Sequence, residues 1–168
     1  MKLSALMAGY TPSAEFAGVA TNDDFVLAID VAETPSDIGD YVVVQTGVSA
    51  VDAQLSPETE EKTYIRAGKA TTKTATQRTF SLSGDRMHGD EFQDFALSFA
   101  VKFGSGQKVI RPYVYFSLLT GEGEKGNASI IVNSDGSGEA GSTAEIDIDI
   151  MATAAPTQYT WGAEEAGA

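Results

Sequence analysis

The chain has 168 residues and no cysteine, with 24 carboxylates against eleven lysines and arginines, for a formal net charge of −13. That length suits one domain able to bury a core, and 42% hydrophobic with 21% charged residues excludes wholesale disorder. Without cysteine there is no disulfide framework, thiolate chemistry or cysteine-ligated zinc, and so negative a chain opposes wrapping nucleic acid in a positive surface.

Residues 1–24 are small and polar, with Pro12 and Gly18 and no clear period, and read as an N-terminal arm. The apolar stretch from Met1 to Ala8 is shorter than a signal-peptide core. Nothing approaches about 18 consecutive apolar residues, so neither a transmembrane helix nor a membrane partner is expected. Phe25–Val31 has strand length, residues 33–40 carry the Pro, Gly and Asp of a turn, and Tyr41–Gln45 is a β-branched strand. That strand continues less regularly toward Leu55.

The stretch from Ser56 to Gly89 stands apart. Lys62, Arg66, Lys69, Lys73 and Arg78 follow one another with no carboxylate among them. Residues 56–76 are expected to form a projecting loop, because a connection longer than about a dozen residues in a compact domain is functional or disordered. The loop merges into a Thr-rich strand ending Thr79-Phe80-Ser81-Leu82-Ser83, and the turn Gly84–Gly89 hands over to a helix.

That helix is expected over about residues 90–103. Asp90 or Gly89 can cap it, and Phe92, Phe95, Ala96 and Phe99 fall at helical spacing, a stripe expected to pack on a sheet. Glu91 and Asp94 suit its first turn and Lys102 its last, and Gly104 stops it. Strands follow at Tyr113–Leu119 and Ala128–Val132, separated by the turn around Gly121–Asn127. The last strand alternates Ala144, Ile146, Ile148 and Ile150 with Glu145, Asp147 and Asp149, which puts the apolar set on the core and three carboxylates on the opposite face. Residues 153–168 read as a C-terminal tail.

Catalytic constellations are missing, and no enzyme is expected. His88 is the sole histidine, in a turn, with no serine in a nucleophile-elbow setting. Gly104-Ser105-Gly106 follows a helix rather than opening one, so it is no phosphate loop. Asn133 to Glu139 is similar to a calcium loop, but its glycine is misplaced and the twelfth position is Ala144. Asp147 and Asp149, two apart on a polar strand face, read as charged surface rather than an acid–base pair. No metal or other cofactor is expected.

The charges are sorted along the chain. Leu3 to Glu61 holds eleven acids and no base, Gly126 to Ala168 seven acids and no base, and Lys62 to Lys125 ten bases against six acids. A chain with separated signs can be its own partner, head to tail. Like charges side by side on a strand face repel, so that face should look onto water or cations. Lining a closed ring, it would repel DNA phosphates and let them slide.

The order of elements resembles that of the tail tube proteins (major tail proteins) of long-tailed bacteriophages. It rests on two strands, a long polar loop, Thr79-Phe80-Ser81-Leu82-Ser83-Gly84-Asp85, an acidic-aromatic helix and three strands, over roughly residues 25–152. The resemblance implies a single mainly-β domain spanning residues 1–168, a two-sheet β-sandwich or open barrel with one flanking α-helix and a long projecting loop. It implies hexameric rings that stack into a tube conducting double-stranded DNA, without specific binding, in a virion assembled in the host cytoplasm. Tape measure and tail terminator or tip proteins are its further implied partners. Lys62, Arg66, Lys69 and Lys73 become the expected contacts to a neighbouring ring. Glu145, Asp147 and Asp149 become lumen-facing candidates, with Thr79, Ser81 and Ser83 competing for that face. Two alternatives stand beside it. One is the inner tube of a contractile injection device or tail-like bacteriocin. The other is a monomeric β-sandwich binding or decoration module, for which Tyr10, Tyr64, Tyr159 and Trp161 are the candidate aromatics.

Overall fold

A computed structural model describes residues 1–162; Glu164 and Glu165 of the expected tail lie outside the described residues. Eight strands form one antiparallel sheet: β1 (Phe25–Ile29), β2 (Val42–Val43), β3 (Val48–Tyr64), β4 (Gly68–Asp85), β5 (Ile110–Ser117), β6 (Glu122–Ser137), β7 (Glu145–Ala152) and β8 (Thr157–Thr160). Three short α-helices accompany them among the described residues: α1 (Leu3–Met7), α2 (Glu91–Ala96) and α3 (Phe99–Lys102). The order across the sheet is β2-β1-β5-β6-β7-β4-β3, with β8 also paired to β6.

β6 explains why there is one sheet rather than two. Its first half pairs with β5, from Gly123 opposite Phe116 to Ser129 opposite Ile110. Its second half pairs with β7, from Ala128 opposite Ala152 to Ser137 opposite Glu145. One 16-residue strand thus serves two half-sheets, and the sheet bends there until the halves face each other. Phe80 of β4 meets Tyr113 and Tyr115 of β5 at ring-centroid distances of 5.4 and 4.9 Å, across the interior rather than along the sheet.

The main core lies between the halves. Leu27 and Ile29 of β1, Phe80 and Leu82 of β4, Tyr113 of β5, Ile130 of β6 and Ile146, Ile148 and Ile150 of β7 are all buried there. Full burial contributes roughly 1.5–3 kcal/mol per large apolar side chain. A second core covers the other face of β1 and β5, where Val26, Ala28, Val114 and Phe116 meet Leu3 and Met7 of α1 and Tyr159 of β8. Both faces of β1 are buried, which is why its sequence is a continuous apolar run rather than an alternation. Residues 1–24 therefore begin with a docked helical turn, its Leu3 and Met7 one turn apart. Residues 157–160, within the expected tail, form a paired strand.

The single helix expected over 90–103 is two short pieces. Asp90 caps α2, its Oδ1 accepting from the Gln93 N–H at 3.0 Å. Ser98 is extended, with ψ 152°, and this resets the helical phase. Phe92 and Ala96 are buried as the stripe requires, and Phe95 lies half-buried under the Arg111 guanidinium, 5.0 Å from its ring centroid. Phe99, expected in the core, is instead 77% exposed and pairs with the 72% exposed Phe103, centroids 4.8 Å apart.

Buried Gln93 fastens this helix to the turns beneath it. Its Nε2 donates to the Thr46 carbonyl at 2.8 Å and the Asp85 carbonyl at 3.1 Å, and its Oε1 accepts from the Met87 N–H at 2.8 Å. The two turns touch so closely that a Cβ on Gly84 would lie 2.1 Å from the Gly47 carbonyl oxygen.

Candidate functional site: an acidic sheet face and a projecting hairpin

The half-sheet β3-β4-β7-β6 has one face on the core and one bare. Strand register settles which side chains share the bare face. Asp52 of β3 lies opposite Ser81 of β4, Ser81 opposite Asp149 of β7, and Asp149 opposite Ile131 of β6. One step away, Ser83 lies opposite Asp147, and Asp85 opposite Glu145. The acidic set Glu145, Asp147 and Asp149 and the set Thr79, Ser81 and Ser83 are therefore not rivals. Adjacent strands put Ser81 and Ser83 on one surface with the acids, back to back with Ile146, Ile148 and Ile150, whereas Thr79, opposite Met151, is buried at the edge of that face.

Short polar bonds stitch that surface. Ser81 Oγ donates to Asp149 Oδ1 at 2.6 Å. Asn133 Nδ2 donates to Asp147 Oδ1 at 3.1 Å and to Asp149 Oδ2 at 2.8 Å. The amide bridges two carboxylates that would otherwise repel, and neither makes an ion pair among the described residues. In the same stretch, Asp135 accepts from Lys102 Nζ at 2.6 Å.

Both edges of this half-sheet lack a strand partner among the described residues. β3 ends the strand order. β5 leaves β6 at Ser129, so the remainder of β6 has β7 on one side only.

The segment 56–76 is a regular two-stranded hairpin. β3 and β4 pair from Val48 opposite Gly84 to Tyr64 opposite Gly68, with irregularities between Val48 and Ala50 and between Glu58 and Thr59. β7 supports β4 only over Thr79–Asp85, so the part beyond Leu55 and Arg78 projects roughly 30 Å at the usual rise per residue. Its tip turns through Ile65, Arg66 and Ala67, with Arg66 at φ 65° and Gly68 at φ 77°.

The hairpin distributes its charges across strands. Glu58, Glu60 and Glu61 lie on β3 and Lys69, Lys73 and Arg78 on β4. Lys69 pairs with Glu61 at 2.6 Å and Lys62 with Glu60 at 3.2 Å. Of the four expected contact residues, Arg66 at the tip and Lys73 on β4 make no ion pair among the described residues. Antiparallel register brings in the carboxylates just upstream of Lys62, so the arm is less basic than a window over residues 62–78 implies.

Arg78 anchors the base of the arm. Its Nε donates to Glu124 Oε1 at 2.7 Å, and its guanidinium carbon lies 5.0 Å from the ring centroids of both Phe80 and Tyr115. Tyr113 Oη donates to the same Glu124 oxygen at 3.3 Å. Burial pushes the Tyr113 phenol above its usual range, and the Glu124 charge adds to the shift. Beside the helix, Arg86 donates to Asp94 at 2.6 Å and holds that carboxyl below its ordinary 3.8. Lys102 does the same for Asp135.

Gln93, the Phe99–Phe103 pair and Asp52 escape the sequence reading; only strand register places Asp52 with the acids of β7. Tyr159 and Trp161 turn inward, Tyr159 buried and Trp161 stacked on Phe116 with centroids 5.7 Å apart. That removes two of the four aromatics a binding platform would need.

The fold is that of phage tail-tube-like proteins. A chain in the virion of a native gene transfer agent particle superposes with a TM-score of 0.57 at 12% identity, covering 84% of this chain and 100% of the other. A chain in the tail of an empty gene transfer agent particle, refined with C6 symmetry, gives 0.54 at 14% identity, covering 84% and 99%. A chain of the sheath–tube complex of an extracellular contractile injection system gives 0.50 at 13%, covering 95% and 99%. No family model matches the sequence, and no curated protein matches it. At these identities the likeness is one of fold.

Proposed function

We propose that the chain is the structural subunit of a phage-type tail tube: copies join into hexameric rings, rings stack, and the tube conducts double-stranded DNA out of a virion assembled in the host cytoplasm. The observation that carries this is the half-sheet β3-β4-β7-β6, which joins a bare acidic face to two edges without strand partners. Unpaired edges are templates for another chain. Setting the β3 edge of one copy beside the β6 edge of the next repeats one heterologous contact, and such contacts generate rings when the rotation closes. The shared face then lines a bore where Asp52, Glu145, Asp147 and Asp149 repel phosphate. The projecting hairpin, with Lys62, Arg66, Lys69 and Lys73, reaches the neighbouring ring. Tape measure and tail terminator or tip proteins are the further partners of such a tube.

The 95% coverage by the contractile-system neighbour favours one second reading, the inner tube of a contractile device. It differs in having a sheath around the same tube. The monomeric decoration reading loses support with the inward turn of Tyr159 and Trp161. Negative-stain images of purified protein over a range of concentration and salt test the proposal. Rings or tubes are expected, and a persistent monomer at high concentration overturns both tube readings.

A further inference from the structure

The curled sheet does not close. Between the β1–β2 side and the base of β3 lies a cleft of about 280 Å³, lined by Tyr10, Phe25, Val48, Val51 and Tyr115, with Asp23 among its polar groups. Its walls are apolar side chains and its open surface is largely polar, with Asn22, Gln45 and Ser49 beside Asp23; Asp23 makes no ion pair among the described residues. The hairpin tip has the opposite form: Ile65 is 91% exposed, Tyr64 lies beside it, and Arg66, also without an ion pair, sits at the turn. An exposed tip that carries a cation beside Tyr64 and Ile65 matches a cleft with apolar walls and an anion at its polar opening.

The tip cannot fill the cleft of its own chain. Val51 lines the cleft and Ile65 lies fourteen residues further along the same hairpin, roughly 45 Å at the rise of an extended strand. Every residue from Leu55 to Ala75 is exposed, so the arm does not fold back over the body. We infer that the hairpin tip of one copy, Tyr64-Ile65-Arg66, docks in the β1–β3 cleft of a second copy, with Arg66 against Asp23. The contact joins two different surfaces, so it propagates in one direction rather than closing a symmetric pair. It rests on the tube reading and names the receiving site for the arm.

The absence of cysteine permits a direct test in the full chain. The double variant Ile65→Cys/Ala50→Cys places one thiol at the tip and one at the exposed rim of the cleft. Under mild oxidation of the assembled protein it is expected to give a ladder of dimers, trimers and longer species on a non-reducing gel, whereas Ile65→Cys alone stops at dimers. Tubes in the images without a ladder overturn the cleft contact and leave the tube reading standing. So does a ladder from Ile65→Cys/Phe99→Cys but none from the cleft pair, which would move the tip to the Phe99–Phe103 patch. A wild-type protein that stays monomeric at every concentration overturns both. An independent arm uses charge exchange: Arg66→Glu and Asp23→Arg should each raise the concentration needed for assembly about tenfold, the scale of one lost charge pair. The double variant should recover it, and failure of that recovery contradicts the Arg66–Asp23 pairing.

Discussion

The hairpin of β3 and β4 is two regions with one backbone geometry and different surroundings. Over residues 48–54 and 79–85 one face packs on the core, where Phe80 and Leu82 are buried and Val51 and Ala53 press against them. Over residues 55–64 and 68–78 the pairing continues, with only Thr76 and Arg78 shielded from solvent. An isolated two-stranded hairpin is at best marginally stable in water. The proximal part is thus held by tertiary packing, and the distal part by cross-strand pairs such as Lys69–Glu61, which at exposed positions contribute at most about 1 kcal/mol. In the proposed tube assembly, the packing partner of this distal stretch is another copy.

Substitutions along the molecule sharpen that contrast. Phe80→Ala or Ile148→Ala, beneath the proximal part, should cost about 3–5 kcal/mol, seen as a lower urea midpoint. Gln93→Ala should come next at about 2–4 kcal/mol, because it strands the Thr46 and Asp85 carbonyls and the Met87 N–H in a buried site. Arg78→Ala, at the junction, removes the partner of half-buried Glu124 and two ring contacts; about 1–3 kcal/mol is expected, together with a looser arm. In the distal part, reversal of Lys62, Arg66, Lys69 and Lys73 to Glu should move stability by less than about 1 kcal/mol yet block tube growth, with the circular dichroism spectrum retained. Unchanged polymerisation would show that the arm is not the contact.

The smallest expected effect is on pH dependence. Asp94 and Asp135 have folded values below the ordinary 3.8, so their contribution is complete above that value and is lost as pH falls through the lowered values. The melting temperature of wild type should therefore decline on the acid side below about pH 4 more steeply than that of Asp94→Asn/Asp135→Asn. Parallel curves would remove these two pairs from the account.

The same contrast explains what could be read from sequence. Ile146, Ile148 and Ile150 alternate with acids because β7 has core on one side and water on the other, so the strand and its acidic face were legible residue by residue. The distal hairpin has water on both sides, and a strand with no buried face carries no period-two signal; residues 56–76 read as loop for that reason. The break at Ser98 was invisible because Phe99 continues the helical spacing that the extended Ser98 interrupts. Asp52 joins the acids of β7 only through the register of two intervening pairings, which local pattern does not encode. The four residues of β8 and the five of α1 are too short for periodicity to distinguish from a tail or an arm.

Amide hydrogen exchange, compared between dilute monomer and assembled protein, tests the central claim most directly. The account predicts that residues 79–85 are protected in both states, while residues 55–78 exchange rapidly in the monomer and become protected on assembly. Protection of the distal hairpin already in the monomer, or its continued rapid exchange in the assembled state, would contradict it.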